Sequence, residues 1–216
     1  MKTDLLSPFE KFPYFTLAGF KQAAGMESPN QVNTLLHRWA KAGHIIQLKK
    51  GIYITRRFYE QHRADQLFSA AVSAILLPES YVSLEFVLQQ HNLLTDVTYP
   101  VTCITMKNTR RIVNSLGTFW YRNIRADLYR GFIISEYFSI RIAKASTAKA
   151  LFDYLYLRPL PPRYRTPKIN LGEELRLNLD ELSPIDHEEF SSFAESSHSH
   201  KMMDILNNFR SNKWHP

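Results

Sequence analysis

One cysteine, Cys103, stands in 216 residues. It has no partner for an internal disulfide, and a zinc cluster built on cysteines is excluded. Flanked by β-branched residues, it reads as a small buried hydrophobe. Glycine is scarce at 7, so loops that cradle phosphate on consecutive backbone N–H groups have little to be built from. No Walker loop, GxGxxG or His-Glu-x-x-His run occurs, and Ser83 and Ser146 lack the Gly-x-Ser-x-Gly elbow. No cofactor is therefore expected. The longest apolar run, Ala70 to Leu77, is broken by Ser73 and is far too short to cross a bilayer. Asp4 and Glu10 fall where a secretion signal would be apolar. The expectation is a soluble, cytoplasmic protein with no membrane partner. No repeat of solenoid length is found.

Hydrophobic residues make up 44% of the chain and aromatics 13%, enough to build a sizeable core. The net charge is +7, which favours an acidic partner such as nucleic acid. Its distribution is uneven. Residues 1–60 hold nine Lys or Arg against four acids, whereas residues 158–216 hold eight against nine. This predicts a small basic module at residues 1–60 and a larger, nearly neutral body at 61–216. Within that body, Arg158 to Arg163 opens a Pro-rich connection (158–172), followed by a helical C-terminal segment (173–216) in which Glu189 to His200 is expected to be mobile or weakly packed.

The strongest local pattern starts at Ser28-Pro29-Asn30-Gln31, with a Ser N-cap, Pro at the first helical position and Gln at the capping-box position. Val32, Leu35, Leu36, Trp39 and Ala40 then share one helix face, and Gly43 ends the helix. Ser28, Asn30, Gln31, Asn33, Thr34, His37, Arg38 and Lys41 supply the polar side, which carries no acid. A shorter helix through Leu17, Phe20, Ala23 and Ala24 precedes it and closes at Gly25. Two β-prone runs follow, Ile45 to Leu48 and Ile52 to Ile54, with Lys49-Lys50-Gly51 as the hairpin tip. Helix, turn, helix and basic hairpin is the order of a winged helix. Such a helix can enter a major groove and bond base edges, while Lys49 and Lys50 would meet phosphates.

The body reads as a helix from His62 to Leu77, a second helix after Tyr81 to Glu85, and β-prone segments at Val101–Thr105, Thr118–Ile124 and Phe132–Ala143, the last with a break expected near Phe138. A helix from Thr147 to Leu157 closes it. The fold class expected is α+β: an N-terminal winged helix-turn-helix followed by a mixed α/β domain. Lys107, Arg110 and Arg111, extended by Arg122 and Arg125, form a possible second basic surface. Asp186, Glu188 and Glu189 suit the first turn of a helix, and His198-Ser199-His200 lacks the spacing of a metal site; no metal is expected.

Several of these segments together resemble a known family. Tyr81-Val82-Ser83-Leu84-Glu85 with Gln90-His91-Asn92-Leu93-Leu94 is similar to the "YVSLESALxxHGLI" segment of AbiEi-type antitoxins. Gly117 to Arg122 resembles their "GxFxYxxI" strand, Lys149 to Leu155 their "IAxxEKALLDYL" helix, and Gly43 to Tyr53 their "GxIxxLxRGxY" hairpin. The resemblance covers roughly residues 14–157. It departs at Ala148, where the family has Glu, and at Asn92, where it has Gly. It implies a non-enzymatic DNA-binding antitoxin of a toxin–antitoxin operon. The winged helix would bind inverted repeats in double-stranded DNA of its own promoter and repress it. The body would counteract a nucleotidyltransferase-like toxin. The residues leave other readings open: a nuclease or nucleotidyltransferase using scattered acids (Asp96, Asp127, Glu136, Asp153), a winged-helix protein-interaction adaptor, or an RNA binder.

Overall fold

Apolar spacing and a proline start organise the N-terminal part of the computed structural model, which describes residues 3–95, 100–162, 166, 168–212 and 214. Asp96, Arg163 and His215 lie outside the described residues. A 3-10 turn over Thr3–Phe9 leads to the two-residue strand β1 (Phe15–Thr16) and helix α1 (Leu17–Ala23). Thr16 caps α1, its Oγ1 accepting from the Gly19 amide at 3.0 Å. Helix α2 (Pro29–Lys41) buries Val32, Leu36 and Trp39. Pro29 sits at its first position, but Ser28 makes no side-chain capping bond, so the expected capping box does not form there. It forms instead between Ser183 and Asp186 at the start of a later helix.

Strands β2 (Ile45–Lys49) and β3 (Ile52–Thr55) turn at Gly51, whose φ of 77° suits glycine. With β1 they form a three-stranded antiparallel sheet in the order β1-β3-β2. Leu6, Phe15, Phe20, Val32, Leu36, Trp39, Ile45 and Tyr53 make one apolar core beneath it. Phe20 meets Trp39 edge-on at 5.4 Å and Phe15 stacks on Tyr53 at 5.6 Å.

The helix expected over His62–Leu77 is shorter, and a separate helix precedes it. Thr55 caps α3 (Arg56–His62) and α4 runs over Phe68–Leu76. The interruption coincides with Asp65, whose carboxylate binds His62 Nδ1 at 2.9 Å and accepts from the Tyr137 hydroxyl at 2.7 Å. Its carbonyl takes the Phe68 amide in a turn.

A six-stranded mixed sheet follows, ordered β6-β7-β5-β4-β9-β8. Its strands are β4 (Ser80–Val82), β5 (Val101–Thr105), β6 (Arg110–Asn114), β7 (Gly117–Asn123), β8 (Phe132–Tyr137) and β9 (Ile140–Ala145). Central β4 runs antiparallel to β5 and parallel to β9, and β5 runs parallel to β7. Arg110 and Arg111, expected in a connection, begin strand β6. The Phe132–Ala143 segment folds into two strands about Phe138 and Ser139, both at positive φ, as a two-residue hairpin loop demands. Between β4 and β5 lies α5 (Glu85–Gln90). Asn92 follows it at φ 59°, a left-handed position that asparagine tolerates better than most residues.

Helix α6 (Thr147–Leu157), capped by Ser146, packs on α5 and on α8 (Pro184–Ser196), which pairs with α9 (His200–Asn212). The short α7 (Leu171–Glu174) is held by buried Asn208, which accepts from the Leu171 amide and donates to the carbonyls of Thr166 and Ile169. The segment Glu189–His200 is not weakly packed. Phe190, Phe193 and Ala194 are buried, with Phe152 against Phe193 at 5.7 Å and Phe190 against Phe209 at 5.7 Å. These aromatics supply the hydrophobic face that the Ser, Glu and His content of the segment obscures.

The chain is thus mixed α+β. It divides into two compact units: Met1–Pro78 with Ile112–Thr118 and Glu136–Arg141, and Glu79–Arg111 with Phe119–Ser135 and Ile142–Pro216. No helix among the described residues is long and apolar enough to cross a membrane.

Candidate nucleic-acid interface

Helix α2 separates its two sides cleanly. Asn30, Gln31, Asn33, Thr34, His37, Arg38 and Lys41 are all exposed, with Ser28 half-buried at the N-cap, while Val32, Leu36 and Trp39 reach the core. The exposed side presents amide, hydroxyl, imidazole and cationic groups and no carboxylate. Two of its cations, Arg38 and Lys41, lie in the last turn, where they face the negative end of the helix dipole.

The hairpin divides its two lysines. Lys50 is exposed. Lys49 is half-buried, and its Nζ donates to the carbonyls of Ile75 at 3.1 Å and Leu76 at 2.7 Å. Those are end-of-helix carbonyls of α4, groups that lack acceptor duty within the helix and need an outside donor. The β-bulge between Gln47 and Lys49 offsets the β2–β3 register beside Lys49, as an extra residue in one strand does. Lys49 therefore fastens the hairpin to α4 rather than projecting beside Lys50. Asn114 adds a second tie through its amide to the Leu48 carbonyl at 3.0 Å. Beside the hairpin, a groove is lined by Gly43, Gln47, Lys50, Arg56 and Asn114.

The second basic surface is largely neutralised locally. Lys107 pairs with Glu79 at 2.8 Å and Arg125 with Asp127 at 2.8 Å. Arg125 also donates to the Ser197 carbonyl, and Arg122 donates to the Leu157 carbonyl and lies over the Trp120 ring at 5.1 Å. Arg110 and Arg111 are exposed at the start of β6, without an acid partner among the described residues.

One polar cluster was only half visible in the sequence. Lys149 and Asp153 lie four residues apart on α6, both fully buried, with Nζ to Oδ1 at 2.6 Å. Oδ2 of Asp153 accepts from Ser83 at 2.7 Å and from Tyr81 at 2.9 Å. The rings of Phe152, Phe193 and Tyr81 surround the ammonium at 4.7–5.8 Å. Burial pushes the Asp153 carboxyl up and the Lys149 ammonium down, each against the pull of the other. The i, i+4 charge pair on an otherwise apolar helix was the available signal. Its partners, Tyr81 on β4 and Ser83 just after it, lie about seventy residues away, which spacing does not reveal. With no solvent-facing surface, this cluster joins α6 to β4 and presents nothing to a substrate.

Asp127 and Glu136 lie apart from it, Asp127 in its ion pair and Glu136 exposed on β8. Among the described residues no three His, Cys, Asp or Glu side chains are placed to hold a metal ion. His198, between α8 and α9, and His200, the first residue of α9, are both exposed. Comparison with protein-family models, curated proteins and solved structures returns no match.

Proposed function

We propose that this chain is a DNA-binding antitoxin and transcriptional autorepressor, reading duplex DNA through a winged helix formed by α1, α2 and the β2–β3 hairpin. The observation that carries the reading is the exposed, acid-free side of α2. Amides and a guanidinium are the groups that bond adenine and guanine edges in a major groove, and a carboxylate-free surface avoids repulsion from phosphate. Arg38, Asn30, Gln31, Asn33 and Thr34 read bases, with Ser28 and His37 flanking them. Lys41 and Lys50 meet the backbone, where cations add salt-dependent affinity without sequence information. Lys49 sets the position of the hairpin. Arg110 and Arg111 are the cations of the second surface best available to an acidic partner.

The operon role, autorepression and the counteracting of a nucleotidyltransferase-like toxin by the body, follows from the AbiEi-type resemblance. The test is titration of a duplex from the gene's own upstream region against a scrambled duplex at two salt concentrations. Tighter, salt-sensitive binding to the upstream duplex is expected. Equal, weak binding to both would leave only generic basicity and favour the protein-interaction reading.

A further inference from the structure

Tryptophan is divided unequally between core and surface. Trp39 and Trp214 are 0% and 7% exposed, whereas Trp120 is 38% exposed. Trp120 stands on β7, where its neighbours Phe119 and Tyr121 are buried. Side chains alternate along a strand, so Trp120 and Arg122 share the opposite face. The Arg122 guanidinium lies over the Trp120 ring at 5.1 Å, and one of its nitrogens donates to the Leu157 carbonyl at 3.3 Å. That bond holds the arginine beside the ring and leaves it further N–H donors.

The strands around this ring carry no acid. Residues 97–126 hold five Lys or Arg and no Asp or Glu, and β6, β7 and β5, which fall within them, are neighbours in the sheet. Lys107 and Arg125 are drawn to Glu79 and Asp127. Arg110 and Arg111, on the strand next to β7, are exposed without an acid partner among the described residues.

We propose that Trp120, Arg122, Arg110 and Arg111 form a binding site for single-stranded nucleic acid. An unpaired base stacks on Trp120 and the Arg122 guanidinium, and the strand's phosphates meet Arg110 and Arg111. The occupant is argued from charge and shape together. The acid-free cations call for a polyanion, and a flat exposed ring beside a guanidinium plane adds affinity for one whose base faces are open. In a duplex those faces are already stacked on one another. The inference does not rest on duplex reading by α2, which uses other residues.

The experiment titrates the full chain with short oligo-dT and oligo-U strands and with a blunt duplex of matching length, following both binding anisotropy and tryptophan fluorescence. Either single strand is expected to bind and to quench the fluorescence; the tighter of the two names the natural class. Trp120→Phe keeps a ring for stacking, so it should bind single strands nearly as the wild type does but lose the quench. Trp120→Ala should weaken single-strand binding about tenfold or more and leave duplex binding unchanged. Arg110→Ala with Arg111→Ala, at exposed positions that spare the core, should weaken it too and make the salt slope shallower by about 1.4. No binding of either strand at low salt overturns the proposal. So does a quench that persists in Trp120→Phe, or single-strand affinity indifferent to Trp120→Ala or to the paired arginine substitution; Arg122 would then only cover an exposed ring.

Discussion

Asp153 shows what a single buried side chain does here. Its carboxylate takes the Lys149 ammonium on one oxygen and two hydroxyls, Ser83 and Tyr81, on the other. Removing one member of a buried ion pair leaves the other charge unpaired, at a cost of about 3–5 kcal/mol, whereas replacing both by apolar groups is often mild. Asp153→Asn is therefore expected to lower unfolding free energy in urea by about that amount, and Lys149→Met with Asp153→Leu by clearly less. If Asp153→Asn cost under about 1 kcal/mol, the range of an exposed pair, the cluster would not be what joins α6 to β4. Asp65 is the exposed counterpart. Hydrogen bonds from Tyr137 first and His62 second hold its carboxyl below the usual carboxylate range. Its folded pKa is thus depressed, so its contribution is present at neutral pH and is lost as pH falls through the folded value. Tyr137→Phe should raise the Asp65 pKa, read by NMR titration of its carboxyl; an unmoved titration would contradict the hydrogen bond.

Elements were legible where one local rule decided them. The spacing of Val32, Leu36 and Trp39 gave α2, the Gly51 turn placed β2 and β3, and the helical pattern over Thr147–Leu157 gave α6. Others depended on distant partners. The break between α3 and α4 is tied to Asp65, which answers to Tyr137 seventy-two residues away. The segment Glu189–His200 looked polar because Ser, Glu and His outnumber Phe190 and Phe193, yet those two rings decide its packing. The candidate interface was legible on α2 and less so on the hairpin. No pattern distinguishes Lys49 from Lys50 until the α4 carbonyls are in place. That contrast predicts different losses. Lys50→Ala should weaken DNA binding by a similar factor on every sequence and make the salt slope shallower by about one. Lys49→Ala should lower thermal stability instead. The reverse pattern, with Lys49→Ala changing only the salt slope, would return Lys49 to the backbone-contact role.

Along the whole chain, positive charge is unevenly distributed. The first sixty residues carry a net excess of cations, the last sixty do not, and the cations of the second surface mostly serve local carboxylates and carbonyls. On the proposed reading, net charge alone would give weak binding to duplex DNA without sequence preference, and sequence preference would have to come from α2. The most direct measurement compares the wild-type chain with Arg38→Ala on the upstream and scrambled duplexes at fixed salt. The account predicts that Arg38→Ala loses about 1–3 kcal/mol on the upstream duplex, much less on the scrambled one, and so narrows the preference between them. An equal loss on both duplexes, or none on either, would contradict base reading by this face of α2.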